Sequence, residues 1–249
     1  IPAPYWVSYP DMATILGGKP VIIPTNFEQK LKVNPAQLQA AITPRTKWFI
    51  FNSPSNPSGM GYSYNEILEI AKVLVEHPHV LILSDDIYEH LAYDDFTFYT
   101  IAQVEPQLFD RTLTVNGVSK SHAMTGWRIG YGGGPEWLIK AMTKVQSQTT
   151  SNPCSISQAA AKEALLGDQC FIVEWQEIYA TRRNIVYNGF AAIPGFKCHK
   201  PQGTFYMYLE CSDILGKTTP DGTKIASDSD LAEYFLNHAK VAVVPGSAF

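Results

Sequence analysis

The chain has 249 residues and a formal net charge of −4, from 19 Lys and Arg against 23 Asp and Glu. Hydrophobic residues make up 45% and charged residues 17%, an ordinary globular balance with material for one large domain or two modest ones. No basic run favours nucleic acid or an anionic membrane as partner, and no apolar stretch approaches the ~18 residues of a membrane span.

Short apolar runs alternate with helical patterns through the first two-thirds of the chain, which predicts an α/β fold with a mainly parallel sheet flanked by helices. Ser8 to Gly17 reads as a helix leading into a strand over Pro20–Pro24. Asn34 caps a short helix to Ala41, with Pro35 at its first position. Trp48–Phe51 reads as a buried strand. Ser63 to Val75 reads as a helix in which Ser63 and Glu66 form a capping box. Val80–Leu83 and Thr112–Val115 are the next strands, and Glu136 to Lys144 is helical.

A second regime begins near residue 155. Ser157–Leu165 and Phe171–Phe190 are helical. Hairpin-like strands follow at Phe196–Cys198 and Thr204–Leu209, then a polar loop from Gly216 to Thr223. Ser229–Ala239 reads as a helix and Val241–Val244 as a last strand. The long helix bridges two domains, a large one over 1–185 and a partial, smaller α+β one over 186–249.

Three apolar runs end in loops of distinctive chemistry, and in parallel sheets sites form at the carboxyl ends of strands. After Trp48–Phe51 comes Asn52-Ser-Pro-Ser-Asn56-Pro-Ser-Gly59, whose prolines and glycine hold Asn56 with its amide free to donate to an anionic oxygen. Taken alone, this loop is equally a plain rigid turn. After Val80–Leu83 comes Ser84-Asp85-Asp86-Ile-Tyr88. A carboxylate at Asp85 can pair with a pyridinium N–H; at about 4 Å and an effective dielectric of about 20 the attraction is roughly 4 kcal/mol before desolvation. Tyr88 reaches for the phenolic oxygen of the same ring. Asp86 reads as structural, and turn capping is the plain alternative for either aspartate.

The third loop is Val115-Asn-Gly-Val-Ser-Lys120-Ser-His-Ala-Met-Thr-Gly-Trp-Arg128-Ile-Gly130. A lysine in a turn of small residues can form a Schiff base with an aldehyde cofactor. An arginine nearby can hold that cofactor's phosphate through two parallel charge-assisted bonds. A solvated Lys120 and a surface-paired Arg128 are the plain readings of each residue alone. Together the three loops supply the groups that pyridoxal 5'-phosphate requires. The glycine-rich Gly126–Gly134 stretch does not open a helix straight off a strand and lacks the G-x-G-x-x-G spacing, which argues against a dinucleotide site. His77 and His79 read as a solvated loop rather than a metal site, His122 takes no catalytic role, and no metal is expected. Cys154, Cys170, Cys198 and Cys211 match no zinc or redox spacing, which points to reduced thiols and a cytoplasmic setting.

These motifs resemble those of the class I, fold-type I pyridoxal-phosphate-dependent aminotransferases, and most closely the bacterial aspartate enzymes that share Tyr5-Trp6-Val-Ser-Tyr-Pro10 and Ala123–Tyr131. Ser119-Lys120 through Gly130 resembles the lysine-attachment signature, Asn56–Gly59 the Asn-Pro-Thr-Gly loop, and Asp85–Tyr88 the Asp-x-x-Tyr element. The resemblance implies Lys120 as the Schiff-base and proton-shuttling lysine. It implies Asp85 on the ring nitrogen, Tyr88 and Asn56 on the phenolic oxygen, and Arg128 and Ser119 on the phosphate. Trp6 would stack on the ring and border the substrate, with core packing as its alternative. Phe205 would face the site on a small-domain strand, or be an ordinary core residue.

The implied reaction is transamination between L-aspartate and 2-oxoglutarate in a homodimer. Prephenate, aromatic amino acids or alanine are alternative substrates, and β-elimination an alternative reaction. From a different class come a non-catalytic pyridoxal-phosphate-sensing module and a cofactor-free structural domain. The resemblance further implies an N-terminal arm, a phosphate loop, a second-subunit tyrosine and an arginine clamping the substrate α-carboxylate, none of which these 249 residues contain. The chain is therefore expected to be a fragment with weak activity or none, since one charged hydrogen-bonding pair is worth roughly 1.5–3 kcal/mol. Extension at both ends is expected to raise turnover.

Overall fold

Helix α1 (Ser8–Ile15) follows the aromatic opening of the chain, and α2 (Pro35–Ala41) begins where the sequence places it. The structure is a computed structural model that describes residues 1–249. Asn34 accepts from the Gln37 N–H while the Gln37 side chain accepts from the Asn34 N–H, so both ends of a capping box are made. The expected strand over Pro20–Pro24 is reduced to one parallel bridge, Pro2 to Ile23, held by the Ala3 N–H on the Ile23 carbonyl and the Ile23 N–H on the Ile1 carbonyl.

Strand β1 (Trp48–Asn52) leads to α3 (Tyr64–Val75), which Ser63 and Glu66 cap reciprocally. Strand β2 (Leu81–Asp85) starts one residue later than expected. Arg111 fixes this start: its guanidinium donates to the carbonyls of Leu74, His77 and Val80, tying the end of α3 to the entry of β2. After α4 (Ile101–Val104), β3 (Thr112–Gly117) runs into the single turn α5 (Val118–Ser121).

Strands β1, β2 and β3 are parallel, and β4 (Gly130–Gly133) closes the sheet antiparallel to β3. Sequence reading missed β4, since glycine is a poor strand former and carries no alternating apolar signal. Strand β1 is buried on alternate residues only, with Trp48 exposed, rather than buried throughout. Its inward Phe49 and Phe51 join Ile67, Ile70 and Leu74 of α3 and Ile82 of β2 in the main core.

Helices α6 (Glu136–Ser147), α7 (Ser155–Leu166) and α8 (Cys170–Ala191) follow. The expected hairpin shrinks to β5 (Lys197–Cys198) and β6 (Leu209–Glu210). It is short because Thr204 takes a left-handed backbone, φ 64°, which breaks an extended run. Helix α9 (Asp228–Tyr234), capped by Ser227, continues as a π-helical turn over Phe235–Ala239. The expected strand over Val241–Val244 is not one, since no segment pairs with it. No helix is long and apolar enough to cross a membrane.

Candidate cofactor and substrate site

The parallel register sets Asn52 beside Asp85 and Asp85 beside Val115, so β1 and β2 end level with one another and β3 runs two residues further, to Gly117. A cavity of about 290 Å³ opens there. That is close to the lower end of the roughly 300–1,000 Å³ typical of small-molecule sites. Five of the residues singled out from sequence line it: Trp6, Asn56, Asp85, Tyr88 and Lys120.

Lys120 lies in α5, three residues beyond the end of β3. Its Nζ stands 6.0 Å from the centre of the Tyr88 ring and 5.4 Å from that of Phe205. Asp85 is the last residue of β2. Its Oδ2 accepts a 2.6 Å hydrogen bond from the Tyr9 hydroxyl, and its Oδ1 accepts from the Ile87 N–H. Burial pushes the Asp85 carboxyl above the usual aspartate range, while Tyr9, the Ile87 N–H and Lys120 act in the opposite sense. Burial likewise raises the Tyr9 and Tyr88 phenols, which keeps both protonated and able to donate.

Tyr88 is buried and donates to the Tyr206 hydroxyl across 3.2 Å. Asn56 is fixed through its backbone: its N–H donates to Asn52 Oδ1, and Asn52 Nδ2 donates to the Asp85 carbonyl, each across 2.8 Å. The side-chain Oδ1 of Asn56 is buried and finds no partner within the protein. An amide's oxygen and nitrogen exchange places by a flip, so this position equally presents an N–H to an anionic oxygen. A buried, unpaired amide beside an amine and a carboxylate is the donor set that a pyridine aldehyde with a phenolic oxygen needs. The residues present therefore fit pyridoxal phosphate.

Three expected residues are not brought to the cavity wall. Ser119 sits half-buried in α5. Arg128 is exposed, with a left-handed backbone, and its guanidinium donates to the Thr125 carbonyl at 2.9 Å. Phe205 is exposed rather than a core residue; it stands next to the cavity, edge-on to Tyr88 at 5.7 Å. The other groups noted from sequence have ordinary partners. His122 bonds Ser121 and Gln169, and Ser84 donates to the buried Asp86 carboxylate. His77 and His79 bond Gln39 and the Thr43 carbonyl. All four cysteines are free.

Sequence reading missed Tyr9, Asn52, Asn116 and Tyr206 on the wall. Tyr9 had a usable signal. It follows Trp6 by three residues, and its N–H donates to the Trp6 carbonyl at 3.0 Å in the turn that leads into α1. The two rings meet edge to face at 5.4 Å.

Parallel strand ends that deliver a lysine, a buried carboxylate, a phenol and an unpaired amide to one cavity define a site of the pyridoxal-phosphate enzyme class. Residues 1–249 match the family model for aminotransferase class I and II, and the chain belongs to that family. Class I aminotransferases use pyridoxal 5'-phosphate. The chain is 55% identical over its whole length to an aspartate/prephenate aminotransferase of Cereibacter sphaeroides, of which it covers 62%. It is equally 55% identical to an aspartate aminotransferase of Rhizobium meliloti, covering 61% of it. The crystal structure of the aspartate aminotransferase from Rhizobium meliloti superposes with a TM-score of 0.96 over 99% of this chain and 62% of that one. An aromatic aminotransferase from Pyrococcus horikoshii gives 0.90 at 38% identity, over 99% of this chain and 63% of that one. The chain thus spans about 62% of the length of the curated relatives it matches.

Proposed function

We propose that the chain carries the cofactor-binding part of an aspartate aminotransferase, moving an amino group between L-aspartate and 2-oxoglutarate. The observation that carries this reading is the convergence of Lys120, Asp85, Tyr88 and Asn56 from the ends of three neighbouring parallel strands on one cavity. Bound pyridoxal phosphate supplies an aldehyde that condenses with an amine and a ring that accepts an electron pair from the substrate.

Lys120 Nζ anchors the aldehyde. When freed from that group it would carry a proton between the substrate α-carbon and the cofactor's former aldehyde carbon. Asp85, as the carboxylate, holds a proton on the ring nitrogen, and Tyr9 keeps that carboxylate oriented. Tyr88 and Asn56 donate to the phenolic oxygen. Trp6, on the cavity wall, would stack on the cofactor ring and border the substrate, with Phe205 beside Lys120. Ser119, next to Lys120, and Arg128, eight residues further on, would hold the phosphate.

The names of the relatives support aspartate as donor, and prephenate or aromatic 2-oxo acids stand as alternative partners in the exchange. A domain division near residue 185 falls within α8, which spans 170–191. A cytoplasmic homodimer agrees with free cysteines and with what is typical of the family.

The test is a visible absorption spectrum of the protein with pyridoxal phosphate. A band well above the protein absorbance is expected, bleached by L-aspartate and restored by 2-oxoglutarate, and absent from Lys120→Ala. A band that answers to no amino acid would replace this reading with that of a cofactor sensor. A protein that stays colourless would leave only a structural domain.

A further inference from the structure

Thr204 is the one buried β-branched residue of the chain with a left-handed backbone, φ 64° and 1% exposed. Branching at Cβ makes this conformation a genuine outlier, which persists only where its surroundings enforce it. The enforcement is visible. The Thr204 N–H donates to the Leu91 carbonyl at 2.8 Å, and the Tyr93 hydroxyl donates to the Thr204 carbonyl. The Tyr93 N–H donates to the Gln202 carbonyl at 2.9 Å, and Ala92 forms an antiparallel bridge with Gly203. Gly203 itself has no room for a side chain, since a Cβ there would lie 2.5 Å from Pro54.

The next two residues are the ones that face the site. Phe205 stands under Lys120 Nζ, and Tyr206 lines the cavity with its hydroxyl on that of Tyr88. The Tyr206 N–H closes back on Thr204 Oγ1 at 3.1 Å. In an extended chain successive side chains point to opposite faces, so the turn at Thr204 decides where both rings go. The segment that enforces it, Leu91–Tyr93, lies only three residues beyond Tyr88.

We propose that Thr204 is a positioning residue, held left-handed by Leu91 and Tyr93 so that Phe205 and Tyr206 meet Lys120 and Tyr88. The proposal rests on the cofactor reading of the cavity, but one arm of its test is independent of cofactor. Two variants are compared with the parent, Tyr93→Phe and Thr204→Gly. Tyr93→Phe removes one enforcing bond. Thr204→Gly makes the left-handed backbone easy while removing the Oγ1 acceptor.

In cofactor-free protein, hydrogen exchange at the residue-204 and Tyr206 amides rises about tenfold in both variants, as loss of one hydrogen bond allows. In protein loaded with pyridoxal phosphate, the pH midpoint of the visible band moves by about half a unit or more, because the group beside Tyr88 has moved. Thr204→Gly does this with a melting temperature no lower than the parent's. Unchanged exchange together with an unchanged midpoint in both variants overturns the proposal. So does a fall in melting temperature as the sole effect. A parent protein with no visible band refutes the cofactor reading, and the exchange arm then decides the positioning role by itself.

Discussion

The Tyr9 hydroxyl donates a 2.6 Å hydrogen bond to Asp85 Oδ2 and so ties α1 to the end of β2. Asp85 is desolvated, and its carboxylate form depends on such donors. Replacing Tyr9 by Phe removes a bond to a charged acceptor worth roughly 1.5–3 kcal/mol, and the Asp85 carboxyl then protonates at higher pH. The acidic limb of the pH profile for kcat/KM is expected to move upward, with pyridoxal phosphate bound at least about tenfold more weakly. Equilibrium dialysis and a pH–rate series measure both; a profile that overlays the parent's would remove Tyr9 from the site.

Asp86 offers a stability test. Burial pushes its carboxyl up to about 6, against the hydroxyl of Ser84, which donates to it at 2.7 Å. The folded state therefore holds the proton more tightly than the unfolded chain between pH about 4 and 6, and stability from this group falls as pH rises through that window. Asp86→Asn keeps the acceptor and removes the charge. From pH 4 to pH 7 the variant is expected to gain about 1–3 kcal/mol relative to the parent in urea unfolding. A constant difference across the range would contradict the assignment.

Arg183 of α8 is buried and donates at 2.9 Å to both the Pro201 carbonyl and Asp94 Oδ1. Arg183→Met leaves that carbonyl unpaired and is expected to cost about 1–3 kcal/mol, the half-exposed Asp94 contributing the smaller share. Arg183 holds the Asp94 carboxyl below the usual range. The stabilisation from that pair is complete above the unfolded aspartate pKa of about 3.9 and is lost as pH falls below it. The penalty measured by denaturant should accordingly narrow in acid.

Gly59→Ala probes the same seam from the other side. Gly59 has φ +68°, and an added Cβ would lie 2.6 Å from Pro201 Cβ. A left-handed alanine costs roughly 1–2 kcal/mol and the overlap about as much again. A loss of only about 1–2 kcal/mol in denaturant unfolding would show that Pro201 yields freely, and one below about 0.5 kcal/mol would contradict the backbone cost as well.

The gathering of Lys120, Asp85 and Asn56 at one cavity was legible because its signals are local. Lys120, Asp85 and Asn56 each follow an apolar run, and the sheet brings those run ends together. Caps were legible for the same reason, as at Asn34 and Ser63. What escaped depends on distant partners. Tyr206 matters only through Tyr88, 118 residues away, and the turn at Thr204 is imposed by Leu91 and Tyr93. The β4 glycines extend because β3 supplies their hydrogen bonds, which propensity does not foretell. Val241–Val244 shows the converse, a strand-like composition with no partner.

Pairing of Asn52 with Asp85 and of Asp85 with Val115 makes the sheet a ruler for the chemistry above it. Side chains alternate along a strand, so a slip of one residue in β2 would turn Asp85 to the opposite face and lift Ser84 into its place. Divergence that keeps the core therefore keeps the electrostatics of the lysine pocket, whereas Trp6 and Tyr206 are carried outside the sheet and take their places from Tyr9 and from Thr204 and Tyr88.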